Sequence, residues 1–367
     1  MSFVRLCVDF IMSRIRVIFI LILAVIGLVV MNQPAAAAAS CYILSNDIGY
    51  VCDANPPLST FAPPPPRPDS ILPGRKYGRL VDNINIYSEP NMNSEILSNA
   101  GDGYLWFSIE DTANNKDEGR LWYQIMPGEW VRAEDIKLGT SSNFTGVEVL
   151  AQPKRPFGWM IVDFQYSEKP GEEPAPNAIK LPRYTFVENY DAVIDEDGWV
   201  WYDIGYGRWM NQQYLSIIEV NPRPKEVGPN EYWVEIDLYE QNVVAYEGDR
   251  MVYAGLVSSG LNRWPTYEGL FQVWERHMET MMTGAEGKVD YYVNEDVPHT
   301  MYFDFDIALH GAYWHDRFGY KHSHGCVNMP PRDAEWVYFW SEKAPNDLWV
   351  WVHSSDPQSY FETKDNY

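Results

Sequence analysis

Hydrophobic and polar positions change rhythm several times along this chain. An uncharged apolar run, Val17 to Met31, follows a flank bearing Arg5, Arg14 and Arg16. Asn32-Gln33-Pro34 interrupts it, and Ala35 to Ala39 supplies small residues suited to a signal peptidase, which predicts a cleaved export signal over residues 1–39. The competing reading is an uncleaved membrane anchor, because the run nearly reaches spanning length. Residues 40–73 are dense in proline, with Pro56-Pro57 and Pro63 to Pro66, and predict an extended linker.

From residue 74 the pattern turns to short aromatic strands between Gly, Asp and Asn turns, and it repeats after about 80 residues. Tyr77-Gly78 returns as Phe157-Gly158, and Tyr87-Ser88-Glu89 returns as Tyr166-Ser167-Glu168. Leu121-Trp122-Tyr123-Gln124-Ile125 returns as Val200-Trp201-Tyr202-Asp203-Ile204, each followed by a second tryptophan, Trp130 and Trp209. Two small β-barrel-like repeats are therefore expected, at 74–148 and 149–220. Their tryptophans serve either as barrel core or as a surface for wall polymer.

A proline-rich hinge at 221–229 leads into a last domain, 230–353. Strands are expected at Trp233–Leu238, Val243–Tyr246 and Met251–Val257, with a tight turn at Glu247-Gly248-Asp249. Met278 to Asn294 reads as a long loop, a candidate lid over the site. Met301 to His310 reads as one strand. Pro330-Pro331 open a helix bearing Trp336, Val337, Phe339 and Trp340, and Leu348 to Val352 closes as a buried strand. Residues 354–367 form a polar tail. The fold class expected is mainly β: a mixed β-sandwich with one or two short helices, preceded by the two repeats.

Charge and cysteine content narrow the function. A formal charge of -23 over 367 residues argues against nucleic-acid binding, which needs a basic face. Of four cysteines, Cys7 lies in the expected signal, and Cys41 and Cys52 are spaced to pair in an oxidising compartment. Lipidation of Cys41 is the minor alternative. Cys326 is left over, and an unpaired cysteine in an exported protein marks a reactive thiol.

That thiol sits in the most histidine-rich stretch of the chain, His310 to Asn328, which holds four of the seven histidines: His310, His315, His322 and His324. Ser323-His324-Gly325-Cys326 places it directly after a glycine, where a tight turn can aim backbone N–H groups at an oxyanion. A neutral thiol needs a base, and His310, at the end of a strand, is the candidate. His315 and His322 lie among Asp316, Arg317 and Lys321, where solvated roles are expected, and His324 is expected to shape the turn. Zinc is the rival reading, but neither a His-Glu-x-x-His run nor a Cys-x-x-Cys pair is present. No metal and no cofactor is expected.

These residues resemble the L,D-transpeptidase (YkuD-type) catalytic domain. The family signature reads here as His310, twelve residues, then Ser323-His324-Gly325-Cys326-Val327-Asn328. Ile236-Asp237-Leu238-x-x-Gln241 resembles the family's opening strand, and Thr266-x-x-Gly269-x-Phe271 its Thr-Pro-x-Gly-x-Phe turn, with Tyr267 in place of proline. The repeats resemble, weakly, bacterial Src-homology-3-like modules. The first resemblance implies Cys326 as nucleophile and His310 as base, oriented by the carbonyl of Gly311. It implies Ser323, His324 and Gly325 as the oxyanion turn and Asn328 as a substrate-binding position. It further implies peptidoglycan stem peptides as partners, with 3→3 cross-linking in the cell envelope outside the cytoplasmic membrane. An L,D-carboxypeptidase using water, or a non-catalytic wall-binding protein, are the alternatives. The sequence leaves the oligomeric state and the acceptor open.

Overall fold

The structure, a computed structural model, describes the backbone strands Ser40–Ile43 and Tyr50–Asp53 and residues 60–356. The expected signal and the polar tail beyond 356 lie outside the described residues. The two early strands pair antiparallel with Cys41 opposite Cys52. The side chains of that pair, and hence the expected disulfide, also lie outside the description. Among the described residues no helix is long and apolar enough to cross a membrane.

Residues 60–356 form one compact unit built on two seven-stranded sheets. The first sheet is centred on the meander Tyr232–Asp237, Asn242–Glu247 and Arg250–Leu256, which the alternating β-branched and aromatic residues already predict. Both faces of this meander are covered, so its strands read as nearly continuous apolar runs. Val234, Ile236 and Val243 face a core shared with Met301, Leu309 and Val337. Trp233, Val244 and Tyr246 face a second core that includes Phe157, Trp159 and Ile218 of the second repeat. The final strand, Trp349–His353, lies parallel to Tyr232–Asp237, and Gly269–Gln272 adds antiparallel beyond it. The expected helix spans Pro331–Ser341, starting on a proline whose missing N–H costs nothing at a first turn.

The second sheet carries the site. Its strands Tyr292–Asp304, Ile307–Gly311 and Val327–Met329 run side by side, the last pair parallel with His310 opposite Asn328. The stretch expected as a single strand, Met301 to His310, is thus two strands turned at Phe305, which has φ 48°. The stretch expected as a lid loop is corrected as well. Glu275–Gly284 and Tyr292–Asp304 form a long antiparallel hairpin. Its outer strand is half exposed and mixes Met with Glu, His and Thr, and this edge-strand polarity hides the strand pattern.

The repeats show their internal symmetry in matched pairings. The first and last strands of each lie antiparallel: Tyr77–Leu80 with Ile136–Leu138, and Phe157–Met160 with Leu215–Ile218. The repeated tryptophan motifs form equivalent hairpins, Arg120–Met126 with Glu129–Arg132 and Val200–Asp203 with Trp209–Asn211. Trp122 is wholly buried, as a core tryptophan. Among the described residues neither repeat closes into a barrel. In the first, the strand Tyr104–Ser108 pairs on one edge with Tyr77–Leu80 of its own repeat and on the other with Tyr292–Asp304 of the hairpin. The expected linker and the first repeat also lend strands elsewhere: Phe61–Ala62 and Val147–Val149 extend the meander sheet.

Candidate active site

The turn that presents Cys326 is held from three sides. Gly325 has φ 119°, a left-handed conformation that glycine adopts without strain. The Ser323 hydroxyl accepts from the Gly325 N–H at 3.1 Å and donates to the Cys326 carbonyl. The Gly325 carbonyl accepts from the Thr266 hydroxyl at 2.6 Å, and Thr266 in turn accepts from the Gly260 N–H at 2.9 Å. On the remaining side the Ser259 carbonyl accepts from the N–H groups of both His322 and Ser323. Gln241, buried with φ 56°, brackets Ser259 with two hydrogen bonds, at 2.6 and 2.8 Å.

His310 is 2% exposed, and its Nδ1 lies 3.3 Å from the Gly311 carbonyl. A carbonyl only accepts, so Nδ1 carries the proton and Nε2 keeps its lone pair. Gly311 is a glycine for lack of room. A Cβ there would meet Pro298 Cγ at 2.9 Å and Pro331 Cα at 3.1 Å. His310, Ser323, His324, Cys326 and Asn328 all line one cavity of about 280 Å³, so the structure brings these expected site residues together. Gly325 and Gly311 act through their backbone.

Burial sets the protonation states. The Cys326 thiol is pushed up to about 11, first by the surrounding protein, against a smaller stabilising effect of the Ala308 backbone. Its Sγ donates to the Asp306 carbonyl at 3.7 Å. Burial pulls His310 down to about 4, with the Gly311 hydrogen bond opposing. At neutral pH the resting pair is therefore a thiol and a neutral imidazole.

The other histidines depart from the sequence reading. His315 and His322 are half-buried rather than solvated. Phe318 is wholly buried and draws the loop inward, with Gly319 closing on Ile161 where a Cβ would lie 2.5 Å from Cγ2. His315 Nδ1 accepts from the Arg317 N–H at 3.1 Å, so its neutral ring bears the proton on Nε2. Asn328 Nδ2 lies 2.8 Å from that nitrogen; two N–H groups cannot bond each other, so the amide takes its flipped assignment, with Oδ1 accepting from Nε2–H. His315 is thus an internal strut that fixes Asn328. The His322 ring packs 4.3 Å from His315 and lines the cavity. Burial lowers His315 well below the ordinary histidine range and His322 to about 4. His324 is exposed at the mouth, against Trp264 at 3.8 Å and 4.0 Å from the Asp290 carboxylate. The turn owes its shape to Ser323, Gly325 and Thr266.

Sequence reasoning named neither Ser259 nor Tyr104 for the site. Ser259 sits in a Ser-Ser-Gly run that reads as ordinary loop. Tyr104, from the first repeat, lines the same cavity as Cys326, and nothing local in the sequence signals it. Among the described residues no group of three or more His, Cys, Asp or Glu is arranged to hold a metal ion.

Residues 231–352 match the family model of the L,D-transpeptidase catalytic domain, YkuD. A Bacillus subtilis (strain 168) protein provisionally named L,D-transpeptidase YciB is 29% identical over 119 residues, which cover 29% of this chain and 59% of that protein. The catalytic domain of an Enterococcus faecium L,D-transpeptidase is similar at 23% identity and a TM-score of 0.30, covering 34% of this chain and 98% of that one. An L,D-transpeptidase from Mycobacterium smegmatis is similar at 14% identity and a TM-score of 0.31, covering 57% and 90%. The chain also covers 50% of a longer Enterococcus faecium L,D-transpeptidase, at a TM-score of 0.30.

Proposed function

We propose that this chain, whose residues 231–352 match the L,D-transpeptidase catalytic domain, joins peptidoglycan stem peptides by acyl transfer through Cys326. The observation that supports this most directly is one cavity that receives both a partly exposed thiol and a buried imidazole with its Nδ1–H held by Gly311. Cys326 Sγ attacks the carbonyl before the terminal D-alanine of a tetrapeptide, and its proton passes to His310 Nε2. The backbone N–H of Cys326 holds the oxyanion, because the Gly325 N–H is already engaged by Ser323. A donor of this kind contributes roughly 3 kcal/mol. The C–N bond then breaks, His310 returns the proton to the leaving amine, and a thioester remains. An amine from a second stem attacks the thioester and gives a proton to His310, the C–S bond breaks, and His310 returns that proton to the sulfur, freeing the thiol with a 3→3 cross-link formed.

The place of action follows from the substrate. Peptidoglycan lies outside the cytoplasmic membrane, and the apolar run Val17 to Met31 reads as the export signal that takes the chain there.

The test is mass spectrometry of products from disaccharide-tetrapeptide fragments incubated with the full chain. The expected product is a dimer with the mass of two fragments less one free alanine, and Cys326→Ala should form none. Tripeptide alone would make water the acceptor, and no product from the unaltered protein would overturn the reading.

A further inference from the structure

The first repeat reaches the cavity through a strand pairing. Tyr104–Ser108 runs parallel to Tyr292–Asp304, with Tyr104 opposite Tyr292. This carries Tyr104 to the lining of the cavity that holds Cys326 and His310. Its position there is fixed at both ends of the side chain. The hydroxyl donates to the Trp314 carbonyl at 3.2 Å, and the Arg79 guanidinium stands 4.7 Å from the ring centre. The Trp314 ring lies 5.6 Å from the His310 imidazole. Two more aromatics of the same repeat pack on the segment after His310. Tyr77 stacks on Tyr313 at 3.6 Å, and Trp106 meets it edge-on at 6.1 Å.

We propose that Tyr104 is a specificity-determining residue of the catalytic cavity, so that the first repeat supplies part of the surface that grips the bound peptide. The proposal rests on the acyl-transfer reading of Cys326 and His310. A phenol anchored at its hydroxyl has little rotamer freedom left to lose and presents a flat apolar face. Together with Met282, Tyr292 and Trp314 it gives the cavity an aromatic and aliphatic part of its lining. Such a wall takes the apolar stem of a peptide side chain and excludes water from it. A spacer module would need none of this placement.

The experiment compares the full chain with its Y104A and Y104F variants in three measurements. Tetrapeptide turnover gives KM and kcat. Iodoacetamide alkylation of Cys326 reports the thiol with a reagent too small to need the wall. Thermal melting reports folding. Y104A is expected to raise KM about tenfold, the scale of losing one well-fitted pocket contact, while alkylation changes less than about twofold. Y104F, which keeps the ring and loses the bond to Trp314, is expected to raise KM less than Y104A does. An unchanged KM in Y104A overturns the proposal, and so does an equal fall in turnover and alkylation, which marks a structural role. If Y104A fails to fold, Y104W, which narrows the cavity, carries the test on the same criteria. If the unaltered protein is alkylated at Cys326 yet turns over no peptide, the acyl-transfer reading fails by itself. Tetrapeptide Kd by calorimetry then decides for Tyr104, and equal values for the unaltered protein and Y104A overturn the proposal.

Discussion

In the resting site both Cys326 and His310 are uncharged. With the thiol near 11 and the imidazole near 4, the reactive protonation state, thiol plus neutral ring, spans the pH range between them. Acylation by substrate is therefore expected to be flat through neutral pH and to fall as pH drops toward 4 and His310 takes a proton. Alkylation by iodoacetamide needs the thiolate, so its rate should climb about tenfold per pH unit well above neutrality. A stopped-flow profile from about pH 3.5 to 10 checks both. An alkylation plateau between pH 5 and 8 would instead mark a preformed thiolate–imidazolium pair. Most of this pair was legible in the sequence, because a left-over cysteine after a glycine and a strand-ending histidine are local signals. The burial of His315 and His322 was not. It depends on Phe318 and Gly319 folding the loop against Ile161, and neighbouring charges in the sequence pointed the other way.

The hairpin is the element whose reading changed most, and its attachment to the first repeat is electrostatically unusual. Arg75 donates from one nitrogen to both oxygens of Glu279, at 2.6 Å, and stands 3.3 Å from Asp296 and 3.6 Å from Glu110. Glu295 adds a fourth carboxylate, accepting from the Ser108 N–H at 3.2 Å, while the Ser108 hydroxyl donates to Asp296 at 2.6 Å. Burial, and then the Asp296 charge, push Glu295 up to about 7 from 4.5. Its folded value lies above its unfolded one, so the folded state is favoured most below about 4.5. That advantage is lost as pH rises through 7. Glu295→Gln removes the charge and keeps an acceptor for Ser108. It is expected to stabilise the protein by roughly 1–3 kcal/mol at pH 8.5 and hardly at all at pH 5, after allowance for solvent at the rim of the cluster. Melting curves at the two pH values check this, and an equal effect at both would refute it. The helix Pro331–Ser341, by contrast, was readable to its first turn, because proline position and apolar spacing are both local.

At the scale of the molecule, the repeats and the catalytic region are not beads on a string. The strands Tyr77–Leu80, Tyr104–Ser108 and Ile136–Leu138 belong to the same sheet as the strand of His310, and Phe157 and Trp159 share a core with Trp233. Heating is therefore expected to melt residues 60–356 in one calorimetric transition, with van't Hoff and calorimetric enthalpies nearly equal. Two resolved peaks would refute this. Sequence reading expected separate repeats and missed that their strands merge with the sheets of the site, because strand edges pair through backbone groups that carry no residue signature. The same sheets hold a consequence for the order of assembly. Trp349–His353 lies inside its sheet, between Gly269–Gln272 and Tyr232–Asp237, not at an edge. A chain made from its N-terminus has every other strand of that sheet before this one. Until residue 353 emerges, Tyr232–Asp237 has an open flank and Gly269–Gln272 has no neighbour at all. The turn of Cys326 and the strand of His310 are synthesised earlier, yet the core beneath them closes last, so this unit stays unfinished until residue 353 has been made.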